Sequence, residues 1–215
     1  MMKFNIYRKV GKRAFDVFAS STLIVVLSPV LISTALILRK QNGKPVLYKV
    51  KRPGKNGEVF TMYKFRSMTN EKDEKGELLP DHMRITPVGR FIRKTSIDEL
   101  PELFNIMKGD MSFVGPRPLS VKYLPYYNKY EMRRHDVKPG LTGLAQINGR
   151  NTVSWEERFD YDIQYVENYS FIMDIFILFK TLIITLKRDG IVDRGTGKVQ
   201  DFHIERIDAL KGQTL

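Results

Sequence analysis

The sequence predicts a mixed, helix-rich α/β fold. It begins with an N-terminal helix of membrane length, broken in its middle. A small globular domain follows, with a short β-hairpin and amphipathic helices suited to an interface. Three observations carry this expectation. Phe15 to Leu38 is almost wholly apolar. Val46–Val50 and Val59–Arg66 are short runs of strand-forming residues on either side of a glycine turn. Phe171 to Leu186 is strongly apolar but ends in Lys187-Arg188. At 215 residues the chain is long enough for one domain with its own core plus a membrane element.

Residues 1–13 are basic, with Lys3, Arg8, Lys9, Lys12 and Arg13. As a straight helix rising ~1.5 Å per residue, the ~24 apolar residues that follow would span a ~30 Å bilayer core. Ser28-Pro29 interrupts them, because proline removes the bond to the Val25 carbonyl and its ring forces a bend. Lys9, Lys12 and Arg13 precede the apolar run, and Arg39, Lys40 and Lys44 follow it. Cytoplasmic flanks attract such residues, so both ends are expected on one side. A helix that dips into the membrane and returns satisfies bend and charge together; a proline-kinked span is the alternative. No Ala-x-Ala-like site follows the run, which is also too long for a signal-peptide core, so it is read as retained.

The two strands turn at Gly54–Gly57, and residues 69–86 read as a polar loop. A helix is expected over 97–108, ending at Gly109, and another over 119–134, broken by Pro125. Residues 138–151 are glycine-punctuated loop and short strand. Trp155 to Asn168 reads as a charged helix, and Phe171 to Leu186 as a helix lying in the membrane interface or packing beneath the first apolar helix. The expected organisation is residues 1–40 as basic N-terminus and membrane helix, 41–190 as a catalytic domain, and 191–215 as a polar tail.

Asp98 and Glu99 are the leading candidates for chemistry. Ser96-x-x-Glu99 fits a capping box, which is a sufficient structural reason for acids there. A helix N-terminus is also where a phosphate binds, and adjacent carboxylates can hold a divalent cation while one attacks phosphorus. Lys64, Arg66, Arg90, Arg93, Arg117 and Arg150 surround the pair in sequence, and each alone reads as a solvated charge. Pro116 and Pro118 stiffen the backbone of Arg117, which suits a guanidinium that must meet phosphate oxygens in fixed geometry. Asp174, an acid in an apolar helix, reads as a first-turn acid, a partner for a buried Arg or a member of the active site. His135 reads as a structural hydrogen-bonder.

A net charge of +12 favours an anionic partner: nucleic acid, acidic lipid or a phosphorylated substrate. The absence of cysteine excludes disulfides, zinc–thiolate sites and thiol nucleophiles. His82, His135 and His203 are scattered. No P-loop, dinucleotide-binding or nucleophile-elbow motif occurs. Spread basic residues and an unexplained apolar helix argue against nucleic acid. A protein that docks on anionic lipid explains the charge and the helix but not the acid pair. A metal-dependent phosphohydrolase would use the same acids.

The motifs, taken in order, are Lys12-Arg13-x-x-Asp16, Ser28-Pro29, Lys64-Phe65-Arg66-Ser67-Met68 and Arg93-x-x-Ser96-x-Asp98-Glu99-Leu100-Pro101. They continue with Gly109-Asp110-Met111-Ser112-x-x-Gly115-Pro116-Arg117-Pro118, Lys138-Pro139-Gly140-Leu141-Thr142-Gly143 and Asn148-Gly149-Arg150. This series resembles the bacterial sugar transferases of the small monotopic phosphoglycosyl transferase type, in their minimal form. The resemblance implies a re-entrant helix broken at Ser28 and Pro29, and an active site on the cytoplasmic face of the bacterial inner membrane. It implies Mg2+ held by Asp98 and Glu99, with Asp98 as nucleophile and Glu99 as its essential neighbour. Lys64, Arg93 and Asp174 match active-site positions, and Arg117 and Arg150 match nucleotide or phosphate contacts; Arg66 is grouped with the substrate-binding residues. The implied reaction moves a sugar-1-phosphate from a UDP-sugar to a polyprenyl (undecaprenyl) phosphate through an aspartyl-phosphosugar intermediate, releasing UMP. That would be the first membrane step of glycoconjugate or polysaccharide biosynthesis. The nearest likeness is to members acting on N-acetylated amino sugars.

Overall fold

The computed structural model describes residues 6–149, 153–187 and 201–212. Its contacts group into two units interleaved in sequence. One comprises Met1–Asp16, Lys51–Phe60 and Gly109–Leu215; the other comprises Val17–Val50 and Thr61–Lys108.

A wide π-helical turn, Tyr7–Gly11, leads into α1 (Lys12–Val26), and α2 (Ser28–Asn42) follows a bend of 61°. Pro29 leaves the Val25 carbonyl without its helical donor. The Ser28 hydroxyl takes that role, donating to the Val25 oxygen at 2.8 Å. Ser20 and Thr22 likewise donate to the Val17 and Phe18 carbonyls, so these hydroxyls are satisfied within the helix. Phe18, Val25, Val26, Ile32 and Leu36 are exposed. Among the described residues no single helix is long and apolar enough to cross a membrane; the bent pair meets that test only together.

In the second unit Leu31, Leu38, Phe65 and Ile92 form the core. The expected hairpin is present as β1 (Leu47–Pro53) and β2 (Val59–Phe65). A helix that the sequence reading assigned to no element, α3 (Pro87–Lys94), starts where Thr86 accepts from the Gly89 N–H and Pro87 takes the first turn. The single helix expected over 97–108 is divided. Ile97–Glu99 is one 3-10 turn, and α4 (Glu102–Lys108) begins only after Pro101. The capping box does not form. Ser96 is left-handed (φ 57°), and its side chain caps nothing.

In the first unit β3 (Ser112–Val114) pairs in parallel with β4 (Gly140–Thr142), Ser112 opposite Gly140 and Val114 opposite Thr142. Two backbones approach here more closely than side chains permit. A Cβ on Gly140 would lie 2.1 Å from the Gly115 nitrogen, and one on Gly115 would lie 2.4 Å from the Lys138 oxygen. Gly140→Ala is therefore expected to cost at least ~2 kcal/mol, read as a lowered denaturation midpoint, because only backbone can yield. The expected helix over 119–134 is replaced by a 3-10 segment Val121–Tyr126 holding Pro125, a short helix Lys129–Met132 and a 3-10 turn Arg133–His135.

The charged helix is observed as α5 (Trp155–Asn168), capped reciprocally by Ser154 and Glu157. It is followed by α6 (Phe171–Lys187). Asp174 and Ile177 of α6 face inward, while Phe171, Ile172, Phe176, Phe179, Leu182 and Leu186 are exposed. The C-terminal residues are not simply a polar tail: α7 (Phe202–Gly212) seats the wholly buried Phe202 among Tyr123, Trp155 and Phe159.

Candidate active site

In the second unit β2 and α4 set the acid pair beside a lysine. The Asn105 side chain, wholly buried, accepts from the Tyr63 N–H at 3.0 Å and donates to the Thr61 carbonyl at 2.8 Å, tying α4 to β2. That register brings Lys64 Nζ to 2.5 Å from Glu99 and 3.0 Å from Glu102. Lys64 and Glu99 are thus brought together, with side chains 15% and 22% exposed, while Glu102 is 4% exposed. Asp98 is half-buried on the same 3-10 turn. A left-handed non-glycine residue costs on the order of 1–2 kcal/mol, and Ser96 carries that strain two positions before Asp98.

Two other predicted cations of this unit, Arg93 and Arg66, are engaged. Arg93 Nε donates to the Ser67 hydroxyl at 2.8 Å. Arg66 is buried, donating to the Asn42 and Gly43 carbonyls at the end of α2. Its evident role is to close that helix end.

In the first unit Arg117 sits where the close approach of β3 and β4 holds the chain. The Gly140 N–H donates to the Pro116 carbonyl at 3.0 Å, and Arg134 Nη2 donates to the Arg117 carbonyl at 2.8 Å. The prolines stiffen this backbone and the two hydrogen bonds fix it, leaving the Arg117 side chain half-buried. Arg150 lies outside the described residues.

Asp174 is 1% exposed and serves as acceptor for three groups. Tyr7 and Lys12 reach one of its oxygens, each at 2.5 Å, and Tyr165 reaches the other at 2.7 Å. Burial first, and then the Asp174 charge, push the Tyr165 hydroxyl well above its ordinary pKa, which keeps it a donor. The arrangement clamps the start of the N-terminal helix to α6.

Residues 7–188 match the model of the bacterial sugar transferase family. The chain belongs to that family. It is 53% identical to an uncharacterized sugar transferase, EpsL, of Bacillus subtilis, covering 84% of this chain and 89% of the relative. It is 42% identical to the undecaprenyl-phosphate galactose phosphotransferase of Salmonella typhimurium, over 83% of this chain but only 41% of the relative's length. A UDP-N-acetylgalactosamine-undecaprenyl-phosphate N-acetylgalactosaminephosphotransferase of Aeromonas hydrophila is 36% identical, over 80% of this chain and 42% of its own length. The chain therefore spans under half of these two relatives.

In this bacterial sugar transferase the sequence reading singled out neither Glu102 nor Asn105, which position Lys64, nor the Arg134–Asp162 pair. The one signal for Glu102 was its place a turn beyond the acid pair. His135 is structural, as expected: it is buried, and Nδ1 meets the Met132 carbonyl at 3.2 Å. Burial, and then Arg134, lower its pKa to about 4. The unfolded chain takes up this proton near ~6.5 and the folded protein only near 4, so stability should fall between those values as pH drops. His135→Gln is expected to remove that part of the pH dependence, measured by denaturant titration from neutral pH downward.

Proposed function

We propose that this sugar transferase moves a sugar-1-phosphate from a UDP-sugar to undecaprenyl phosphate, at the cytoplasmic face of the bacterial inner membrane. The observation that carries the reading is the partly exposed Asp98-Glu99 turn, strained at Ser96 and held against Lys64. Asp98 attacks the β-phosphorus of the donor; the bond to UMP breaks, UMP leaves, and a sugar-phosphate remains on the carboxylate. An oxygen of the polyprenyl phosphate then attacks the same phosphorus and releases Asp98. Splitting one displacement into two lowers each barrier. Lys64, beside the acid pair, offsets charge as two anions approach.

Asp98 and Glu99 fit Mg2+ in donor type, being hard carboxylate oxygens. No cluster of three or more ligating side chains exists among the described residues. Mg2+ needs only one or two carboxylates when substrate phosphates complete its shell. Bound there, it supplies charge stabilisation for the transferring phosphoryl group.

The bend at Ser28-Pro29, the basic flanks and the exposed apolar faces of α1, α2 and α6 support a re-entrant, monotopic seat, with α6 in the interface. Pro29→Leu is expected to straighten the helix and carry a tag at Met1 across the membrane. A tag that stays protease-accessible on the original side would remove the proline from the topology. The relatives are named for galactose and N-acetylgalactosamine, so the family speaks to the phosphate chemistry and leaves the sugar to assay. The test is UMP release from a panel of UDP-sugars with Mg2+, with and without undecaprenyl phosphate. Sustained release needing both supports the transferase; release without a lipid-linked product indicates a hydrolase; none from any donor returns weight to a lipid-docking protein.

A further inference from the structure

A face of α5 that this mechanism does not use carries Arg158 and Asp162 one turn apart, an i,i+4 pair on one side of the helix. Asp162 accepts two N–H groups from Arg134, at 2.7 and 3.0 Å, and both side chains are almost wholly buried. The same Arg134 reaches on to the Arg117 carbonyl at 2.8 Å and lies over the Tyr127 and Phe159 rings. One guanidinium thus joins α5 to the Pro116-Arg117-Pro118 turn. Arg158 is half-buried, its guanidinium carbon 4.4 Å from the centre of the Trp155 ring. Burial first, and then Arg134 and Arg117, hold its pKa below the usual guanidinium value against the pull of Asp162. Two arginines, Arg134 and Arg158, thus attend one buried carboxylate, and the Arg134 fork ties them to the backbone of Arg117. Stacked, weakly hydrated arginines in such a group suit a multiply charged phosphate ligand.

We propose that Arg158 is a further contact for the donor's diphosphate, shared with Arg117, and that the Arg134–Asp162 pair is the positioning device that holds the two as one anion site. The inference rests on the transferase reading for the identity of its ligand. Trp155, the chain's single tryptophan, reports on it without turnover. UDP, titrated into the full-length protein in detergent, is expected to change Trp155 emission, excited where uracil does not absorb; uridine is expected to change nothing. Arg158→Gln should weaken UDP by roughly tenfold or more and flatten its salt dependence, at an unchanged unfolding temperature. Arg158→Lys should recover part of the affinity. Arg134→Lys keeps a cation for Asp162 but loses the fork that also reaches the Arg117 carbonyl, so it should raise KM for the UDP-sugar more than it lowers kcat.

Equal UDP affinity in Arg158→Gln and parent, or an equal response to uridine, overturns the proposal and leaves the transferase reading standing. UDP binding that needs Arg158, in a protein that releases UMP from no donor, keeps the anion site and sinks the transferase reading. Failure of the parent to bind UDP overturns the site outright.

Discussion

Asp98→Asn is expected to reduce UMP release by at least about 10³-fold, while membrane association and unfolding temperature stay at parental values. The amide keeps the size and polarity of the carboxylate on the Ile97–Glu99 turn but cannot form the acyl phosphate, so chemistry stops without disturbing the packing. Glu99→Gln separates the pair's roles. It removes the acid that Lys64 meets at 2.5 Å while Glu102 still holds the lysine at 3.0 Å, so Lys64 should stay in place as activity falls. Covalent capture sharpens the test. With donor and no acceptor, parent protein should carry a sugar-phosphate on the peptide containing Asp98, and the Asn variant none. Residual turnover above a few per cent in Asp98→Asn would assign the nucleophile elsewhere.

Asp174→Ala is expected to act on stability. The variant strands the Lys12 ammonium and the Tyr7 hydroxyl, and leaves the Tyr165 hydroxyl only the Val114 carbonyl. Breaking one side of a buried ion pair costs about 3–5 kcal/mol, which in a chain of this size lowers the unfolding temperature by roughly 10 °C. Asp174→Asn should lose less, since it still accepts hydrogen bonds. The resemblance had placed Asp174 among active-site positions, and the same experiment decides that question. Activity per folded molecule near the parental value supports a clamp; lost kcat at an unchanged unfolding temperature would place the carboxylate in the chemistry.

Much of this was legible in the sequence where the signal is local. Ser28-Pro29 announces the helix break, because proline cannot donate whatever surrounds it. Trp155–Asn168 reads as a charged helix at its observed bounds, and the structure starts it with a reciprocal cap between Ser154 and Glu157. The acid pair was found, but its setting was misread. Ser96-x-x-Glu99 has the letters of a capping box, yet Ser96 adopts a left-handed conformation and Pro101 delays the helix. What escaped was long-range. β3 and β4 are three residues each, too short for a periodic signal, and meet only because glycines permit backbone contact. Arg134 and Asp162 are separated by 28 positions and look like surface charges until folded together. Phe202 looks like one apolar residue in a polar tail until Tyr123, Trp155 and Phe159 enclose it.

The clamp on Asp174 closes over 162 and 167 positions of chain, to Lys12 and to Tyr7. At ~5–20 residues per second a ribosome needs about 10–30 s to deliver the partner after the first helix has emerged. During that interval the nascent helix must take up its bend and its surroundings on its own residues, with the Ser28-Pro29 break and the flanking lysines and arginines as its instructions. Docking to α6 then fastens a choice already made.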